Sequence, residues 1–165
     1  MSKQLLNMAA KHAVASELCR RQIRAELKFV GRGSKVTAPL FSGGEVEFNV
    51  RAKMGRTWPS CKGVALPHQV LVLVDYQGCG DTDRPTFYIL CADDWCIVLE
   101  RRLDEIRRRS SDKRIRVTEQ FVAEFPDEPV RSTGQAWQGV DIRPDLVEEY
   151  HERWNTIGAS PANQG

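Results

Sequence analysis

Val46-Glu47-Phe48-Asn49-Val50-Arg51-Ala52-Lys53 is the stretch that decides the fold, because apolar and polar residues alternate along it without interruption. Strict alternation is typical of a β-strand that buries one face and leaves the other face polar. The polar face carries Asn49 and Arg51 two residues apart. Their side chains therefore reach the same patch, and that patch is the first candidate site of the chain.

Length and composition place the chain among ordinary globular proteins. Its 165 residues are 41% hydrophobic and 28% charged, with a net charge of +2, and this length predicts one domain with a real core. A charge so near zero produces no global field that requires a nucleic-acid partner. We find no apolar run of the roughly 20 residues that a membrane span needs, so a membrane is not an expected partner.

The cysteines predict a reducing compartment. There are five of them, without a C-x-x-C pair, and an odd number of thiols in a chain with its own core favours free cysteines in the cytoplasm. Cys61, His68 and Cys79 flank one predicted strand and leave a zinc site as an alternative. Free thiols are the favoured interpretation, because zinc ligands usually occur as close pairs.

The chain is predicted to begin with a helix from about Lys3 to Ile23, with Ser2 as its N-cap. An apolar residue recurs every fourth position, which gives the stripe Leu6, Ala10, Val14 and Leu18. Glu17 borders this stripe and so lies beside the buried face.

Strands follow the helix. We predict strands at 26–30 and 35–41, a hairpin turn at 42–44, the alternating strand quoted above, a loop at 54–67, and strands at 69–76 and 86–90. Pro39 favours an edge position or a bulge for the second strand. The almost continuously apolar run from Gln69 to Tyr76 predicts a central strand covered on both faces.

Helices are expected to complete the domain. One begins near Asp93 and Asp94 and ends near Arg109, and an excursion of loop and short strand follows over 110–139. A last helix opens at Arg143-Pro144, carries the stripe Leu146, Tyr150, Trp154 and Ile157, and ends at Gly158. The sequence thus predicts one α/β domain over 1–158, a central mixed β-sheet flanked by helices, with a disordered tail at 159–165.

Several short segments in this order resemble small bacterial members of the PD-(D/E)XK nuclease superfamily. The matching segments are Ala15-Ser16-Glu17-Leu18, Phe48 to Lys53, Thr57-Trp58-Pro59-Ser60, Val70 to Tyr76, Arg84 to Leu90, Trp137 to Val140 and Tyr150 to Ile157. They span nearly the whole chain, and each is only moderately specific. The resemblance implies a restriction-endonuclease-like fold.

The resemblance also implies a site. In that superfamily a helical Glu, a strand Asp and a (D/E/Q)-x-K pair gather around Mg²⁺, which activates water for attack on a phosphodiester. Glu17 matches the helical Glu, Asn49 the acid or Gln, and Arg51 the Lys, whereas the positions for the strand Asp, 34–37, hold no acid. Because Arg51 cannot serve as a base, the resemblance implies a vestigial site and a pseudo-enzyme without a cofactor.

Two alternatives to a vestigial site stay open. The first is a rearranged site that uses Glu17, Glu47 or Glu45, and Lys53, which would make the protein a Mg²⁺-dependent DNA or RNA endonuclease. The second is that Glu47, Asn49 and Arg51 form a solvated or ion-paired sheet face without chemistry.

Basic residues offer candidate contacts. One cluster includes Arg107, Arg108 and Arg109, where either phosphate binding or an ion-paired helix face fits the acids interspersed among them. The loop at 54–67 carries Arg56, Trp58 and Lys62, which suit a contact surface; alternatively, Trp58 packs into the core. Trp95, Trp137 and Trp154 are predicted to be core residues.

The sequence-based expectation is therefore a catalytically degraded nuclease-fold protein that acts by binding. The partner is a protein or a nucleic acid, with a slight preference for a protein because the net charge is near neutral. The resemblance suggests a bacterial conflict system as the setting, with a role in immunity, defence or counter-defence.

Overall fold

A computed structural model describes residues 2–31, 33–40 and 43–157. The helices are α1 (Lys3–Arg20) and α2 (Ala92–Arg109), and the strands are β1 (Glu26–Val30), β2 (Gly33–Pro39), β3 (Glu45–Lys53), β4 (Trp58–Cys61), β5 (Gln69–Asp75), β6 (Thr86–Leu90), β7 (Arg116–Val117), β8 (Ala123–Pro129), β9 (Ala136–Gln138) and β10 (Val140–Ile142). Phe41, Ser42, the end of the last predicted helix at Gly158 and the tail predicted at 159–165 lie outside the described residues. Neither helix of the described part is long and apolar enough to cross a membrane.

The central sheet is mixed and confirms the predicted α/β class. Its five strands lie in the order β1-β2-β3-β5-β6, in which β3 and β5 are parallel and all other neighbours are antiparallel. The predicted buried strand is β5, and Val70 to Val74 are all buried between two neighbouring strands.

Two cores cover the opposite faces of this sheet. The α1-side core joins Ala10, Val14 and Leu18 of the helix to the face of β3 that carries Phe48 and Val50. The α2-side core joins α2 to Leu71 and Leu73 of β5 and to β4. The even-numbered residues of β3 therefore face α1, and its polar residues Glu47, Asn49, Arg51 and Lys53 face the other side, as the alternation predicts.

The predicted loop at 54–67 contains a short strand. Residues of β4 pair with β10, with Trp58 opposite Ile142 and Cys61 opposite Val140. Gly63 follows with a φ of +71°, and a Cβ at this position would overlap the indole of Trp95. The crossover between the parallel strands β3 and β5 is thus a packed segment that belongs to the α2-side core.

The prediction of a last helix is wrong. Pro144–Leu146, Glu148–Tyr150 and Trp154–Thr156 are separate 3₁₀ turns. Leu146 and Tyr150 pack into the α2-side core, whereas Trp154 packs into the α1-side core. A single helix presents one stripe to one surface, so this segment instead bends around the edge of β6, where the Glu152 N–H donates to the Phe87 carbonyl at 2.9 Å.

Three further expectations need correction. The first helix ends at Arg20, because Gln22 adopts a φ of +62° that a helix does not continue through. The second strand is not an edge, and Pro39 is tolerated at its end because the pairing of β1 with β2 stops at Thr37. Trp137 is not a core residue, since 43% of it is exposed on β9.

Candidate binding site at the open edge of strand β3

The edge of β3 that faces β2 is open over its second half. Pairing between β2 and β3 stops at Val36 opposite Phe48, so within the described chain no strand pairs with 49–53 on that side. The Glu47 N–H donates toward β5, to the His68 carbonyl at 2.8 Å. Because backbone direction alternates along a strand, the N–H and C=O groups of Val50 and Ala52 point to the open side.

Lys11 of α1 occupies the place where the two strands separate. Its Nζ lies 2.5 Å from the Ser34 carbonyl oxygen and 3.1 Å from the Ser34 Oγ. In a continued ladder this carbonyl would face Val50, so the ammonium takes the acceptor that β3 would otherwise use. The result is a notch of about 250 Å³ between the start of β2 and the open edge of β3.

Positive charge dominates this notch. It is lined by Asn7, Lys11, Ser34, Lys35, Glu47, Phe48, Asn49, Val50 and Arg51. Glu47 is paired with Lys35 at 2.9 Å. Both acceptors of Lys11 are uncharged, and burial lowers the pKa of its ammonium. Arg51 has no ion pair within the described residues, so Lys11 and Arg51 are two cations without a counter-charge.

An apolar groove of about 500 Å³ continues from the notch, between α1 and the hairpin of β1 and β2. The groove and the notch share Asn7, Lys11 and Ser34. Leu5 and Phe29, which line the groove, are 63% and 72% exposed. The groove is therefore an exposed apolar patch beside the open edge of β3.

The structure brings together only part of the predicted vestigial site. Asn49 and Arg51 line the notch together with Ser34 and Lys35, which fall where the resemblance places the missing strand Asp. Glu17 lies elsewhere: it is buried in the face of α1, with its carboxylate 3.0 Å from Arg84 and also paired with Arg21. The helix and the polar face of β3 lie on opposite sides of the sheet.

Glu17 belongs to a charge network that holds the C-terminal segment against α1. Arg84 lies 2.8 Å from Glu152 as well as 3.0 Å from Glu17. Glu152 also accepts a hydrogen bond from the indole N–H of Trp154 at 2.8 Å. Burial alone would raise the pKa of Glu152, but hydrogen bonds from Arg84 and Trp154 outweigh it and lower that pKa. This network has a structural role.

Glu47 and Lys53, the residues of the rearranged alternative, do not meet. Six positions along an extended strand separate their Cα atoms by roughly 20 Å. The Lys53 Nζ is already surrounded by Asp75 Oδ2 at 2.6 Å, Gln77 Oε1 at 3.1 Å, the Gly55 carbonyl at 3.0 Å and the Trp58 ring at 4.8 Å. The lysine that would assist a reaction is therefore enclosed by the protein.

The notch does not fit the Mg²⁺ ion that the endonuclease alternative requires. Mg²⁺ takes hard oxygen ligands, usually with one or two carboxylates. Here the lining side chains include three cations, and the single carboxylate, Glu47, is paired with Lys35. Over the described ranges no three His, Cys, Asp or Glu side chains come close enough to hold a metal.

The predicted contact loop separates into buried and exposed residues. Trp58 is 1% exposed and its indole N–H donates to the Val74 carbonyl at 3.0 Å, so it is a core residue and not a contact anchor. Arg56 is exposed, and Lys62 is exposed with its Nζ 2.9 Å from Gln138 Oε1. Cys61, from the zinc alternative, is buried, and burial raises the pKa of its thiol to about 12.

Arg107, Arg108 and Arg109 are exposed at the end of α2, far along the chain from the notch. Acids neutralise much of this basic cluster, through the pairs Arg107–Asp104, Arg101–Glu149, Arg102–Glu105, Lys113–Glu128 and Arg114–Asp127. Arg108 and Arg109 are in no ion pair of the described residues, so this surface is ion-paired only in part.

Sequence reasoning missed Lys11 and Phe29. Lys11 follows Ala10 of the apolar stripe, so the sequence could predict its position beside the buried face. Its contact with Ser34 could not be predicted, because the two residues are 23 positions apart. Phe29 lies in the predicted strand at 26–30, and a strand pattern alone does not show that its ring stays exposed. No protein-family model, curated protein or solved structure matches this chain.

Proposed function

We propose that this chain is a nuclease-fold protein that acts by binding another protein at the notch and the groove, without cutting nucleic acid. The observation that carries the proposal is the exposed apolar surface of Leu5 and Phe29 beside an unpaired strand edge. Protein partners cover surfaces of this kind through apolar anchors and added strands.

The geometry around the predicted catalytic residues supports a binding role. Glu17 is engaged by arginines on the α1 face, and Lys53 is enclosed with Asp75. Asn49 and Arg51 remain near the surface, yet neither can act as a base at neutral pH. The side chains that face the notch are therefore suited to hold a ligand in place.

The distribution of charge favours a protein over a nucleic acid. Binding to phosphates requires cations that are free to replace counterions. Much of the basic cluster on α2 and of the residues near β1 is already paired, as in Arg24–Glu26 and Lys28–Glu45. In this proposal the PD-(D/E)XK resemblance supplies the biological setting, a bacterial conflict system in which the protein blocks or recruits its partner as an immunity, defence or counter-defence component.

An activity assay tests the absence of catalysis. Purified protein is incubated with plasmid, linear duplex and RNA in the presence of Mg²⁺ or Mn²⁺, and all substrates are expected to stay intact. Cleavage that disappears in a Glu47→Gln variant would replace the proposal with the endonuclease alternative.

A binding assay tests the class of partner. Immobilised protein is exposed to nuclease-treated lysate of its source cells, and a retained protein is expected to be lost with Phe29→Ser and kept with Trp137→Ser, an exposed aromatic away from the groove. The captured protein is then purified and its affinity measured directly. Plain duplex DNA and RNA serve as the comparison: tight, salt-sensitive binding of either, weakened by reversing the charges of Arg107, Arg108 and Arg109, would contradict the proposal.

A further inference from the structure

We infer that the notch binds an extended acidic segment of the partner, which pairs with the open edge of β3 and places two adjacent carboxylate side chains beside Arg51 and Lys11. This inference rests on the proposed function, since it names the chemistry of the protein that the surface takes. Three features carry it: the open backbone, the two unpaired cations and the groove beside them.

The open backbone selects an extended segment. Val50 and Ala52 direct their N–H and C=O groups to the open side of β3, where Val50 lines the notch, and beyond Phe48 β2 does not pair with them. A segment in β conformation supplies alternating donors and acceptors at the same spacing. Val50 and Ala52 belong to the strand that pairs with β5 on its other side, so the edge is held rigidly in place for a new strand.

The two unpaired cations select acidic side chains on that segment. Arg51 belongs to the polar face of β3, and Lys11 comes from the helix on the opposite face. Neighbouring side chains on a strand point to opposite faces, so two acids in succession meet one cation each. An arginine can hold a carboxylate with two parallel hydrogen bonds, and a carboxylate beside Lys11 removes the penalty that burial imposes on its ammonium.

The apolar groove selects a third residue of the partner segment. Leu5, Met8 and Phe29 lie on the side of the sheet that α1 covers, next to Lys11. On an extended segment, the residue two positions from the acid that meets Lys11 points to the same face. An apolar residue at that position would cover the exposed ring of Phe29. The partner segment is thus two adjacent acids with an apolar residue two positions beyond the acid that Lys11 contacts.

A carboxylate fits the notch better than a phosphodiester. Glu47 lies in the same lining and is only 2.9 Å from Lys35, so Lys11 and Arg51 carry the free positive charge among the described residues that line the notch. Each of these cations is matched by one carboxylate. A continuous phosphate backbone would bring further charges to surfaces where acids already neutralise the basic residues.

The test uses ¹⁵N-labelled full-length protein and three capped peptides of about seven residues, the length that covers the open edge of β3 with one residue on either side. They share a valine-rich sequence and differ only at two adjacent central positions, which hold Glu-Glu, Gln-Gln or Lys-Lys. The Glu-Glu peptide is expected to shift the amide signals of Val50 and Ala52 and to bind about tenfold more tightly than the Gln-Gln peptide, with an affinity that falls as salt rises. Arg51→Gln should remove most of that advantage, and Arg131→Gln, which changes an exposed arginine outside the notch, should leave it unchanged.

Other outcomes overturn the inference. Equal binding of the Glu-Glu and Gln-Gln peptides, shifts confined to residues outside the notch, or no binding at millimolar peptide would each reject an acidic strand as the occupant. Stronger binding of a short single-stranded DNA at the same amides would assign the notch to phosphate. If the Gln-Gln peptide matches the Glu-Glu peptide while a partner is still captured through Phe29, the inference fails and the proposed function stands.

Discussion

The Nζ of Lys53 lies 2.6 Å from Oδ2 of Asp75, across the parallel pair of β3 and β5. The side chain of Lys53 is 1% exposed and that of Asp75 is 14% exposed. The same ammonium contacts the Gly55 carbonyl and lies over the Trp58 ring. One buried cation therefore joins the ends of two strands to the segment that crosses between them.

Removing this cation should destabilise the fold strongly. Lys53→Met leaves Asp75 charged, largely buried and without its partner, and we expect a loss of about 3 kcal/mol in the free energy of unfolding, measured by urea denaturation. Lys62→Met, which removes an exposed lysine, should change it by less than about 0.5 kcal/mol. A double variant, Lys53→Met with Asp75→Asn, should recover part of the loss, and equal stability of Lys53→Met and wild type would contradict the assignment of the pair.

A methyl group at Gly63 should be poorly tolerated. The residue has a φ of +71°, and a Cβ would overlap the Trp95 ring inside the α2-side core. Strained backbone and overpacking together predict a loss of about 2–4 kcal/mol for Gly63→Ala, measured by thermal or urea unfolding. The matched control is Gly78→Ala, where φ is +79° and the space is open; its loss should be about 1 kcal/mol. Similar losses for the two variants would mean that Trp95 does not occupy the space beside Gly63.

Acid should weaken the attachment of the C-terminal segment. The pKa of Glu152 is lower in the folded protein than its ordinary value, because hydrogen bonds from Arg84 and Trp154 outweigh the effect of burial. A carboxyl with a lowered folded pKa stabilises the fold fully above its unfolded pKa of about 4.3, and the contribution is lost as the pH falls through the folded pKa. The stability difference between wild type and Glu152→Gln should therefore be larger at pH 7 than at pH 3. A difference that does not change with pH would show that the charge of Glu152 contributes nothing.

The Cys61 thiol should be inert in the folded protein. It is buried, and burial raises its pKa to about 12, so almost no thiolate is present at pH 8. With a thiol-specific reagent, mass spectrometry should find rapid modification of the exposed Cys19 and none of Cys61 until urea unfolds the chain. Modification of Cys61 as fast as Cys19 under native conditions would place it at the surface.

Short-range sequence patterns are sufficient to predict the main strands of the central sheet and the two helices. The alternation from Val46 to Lys53 assigned both faces of β3, and the apolar run around Val72 identified a strand buried on both sides. The stripe through Val14 identified α1 and put Glu17 beside the buried face, where it lies. In each case the hydrophobic pattern lies within one element. The residues that recur with its period are the ones that the core buries.

Features that depend on distant contacts could not be predicted in the same way. Leu146, Tyr150 and Trp154 have helical spacing, but they pack against opposite faces of the sheet, and only the tertiary fold decides that. Likewise, the side of the sheet on which Glu17 would lie relative to Asn49 depends on how α1 docks. The notch is also lined by residues distant in the chain, and its contact between Lys11 and the Ser34 carbonyl has no local sequence signal.

The segment from Leu146 to Ile157 affects how the protein unfolds. Because it contributes side chains to both cores and passes around the edge of β6, the loss of either core releases part of the other. The two faces of the sheet are thus coupled as a single cooperative unit. Heating should melt α1 and α2 in one transition, with no intermediate in which one helix remains docked on a half-covered sheet.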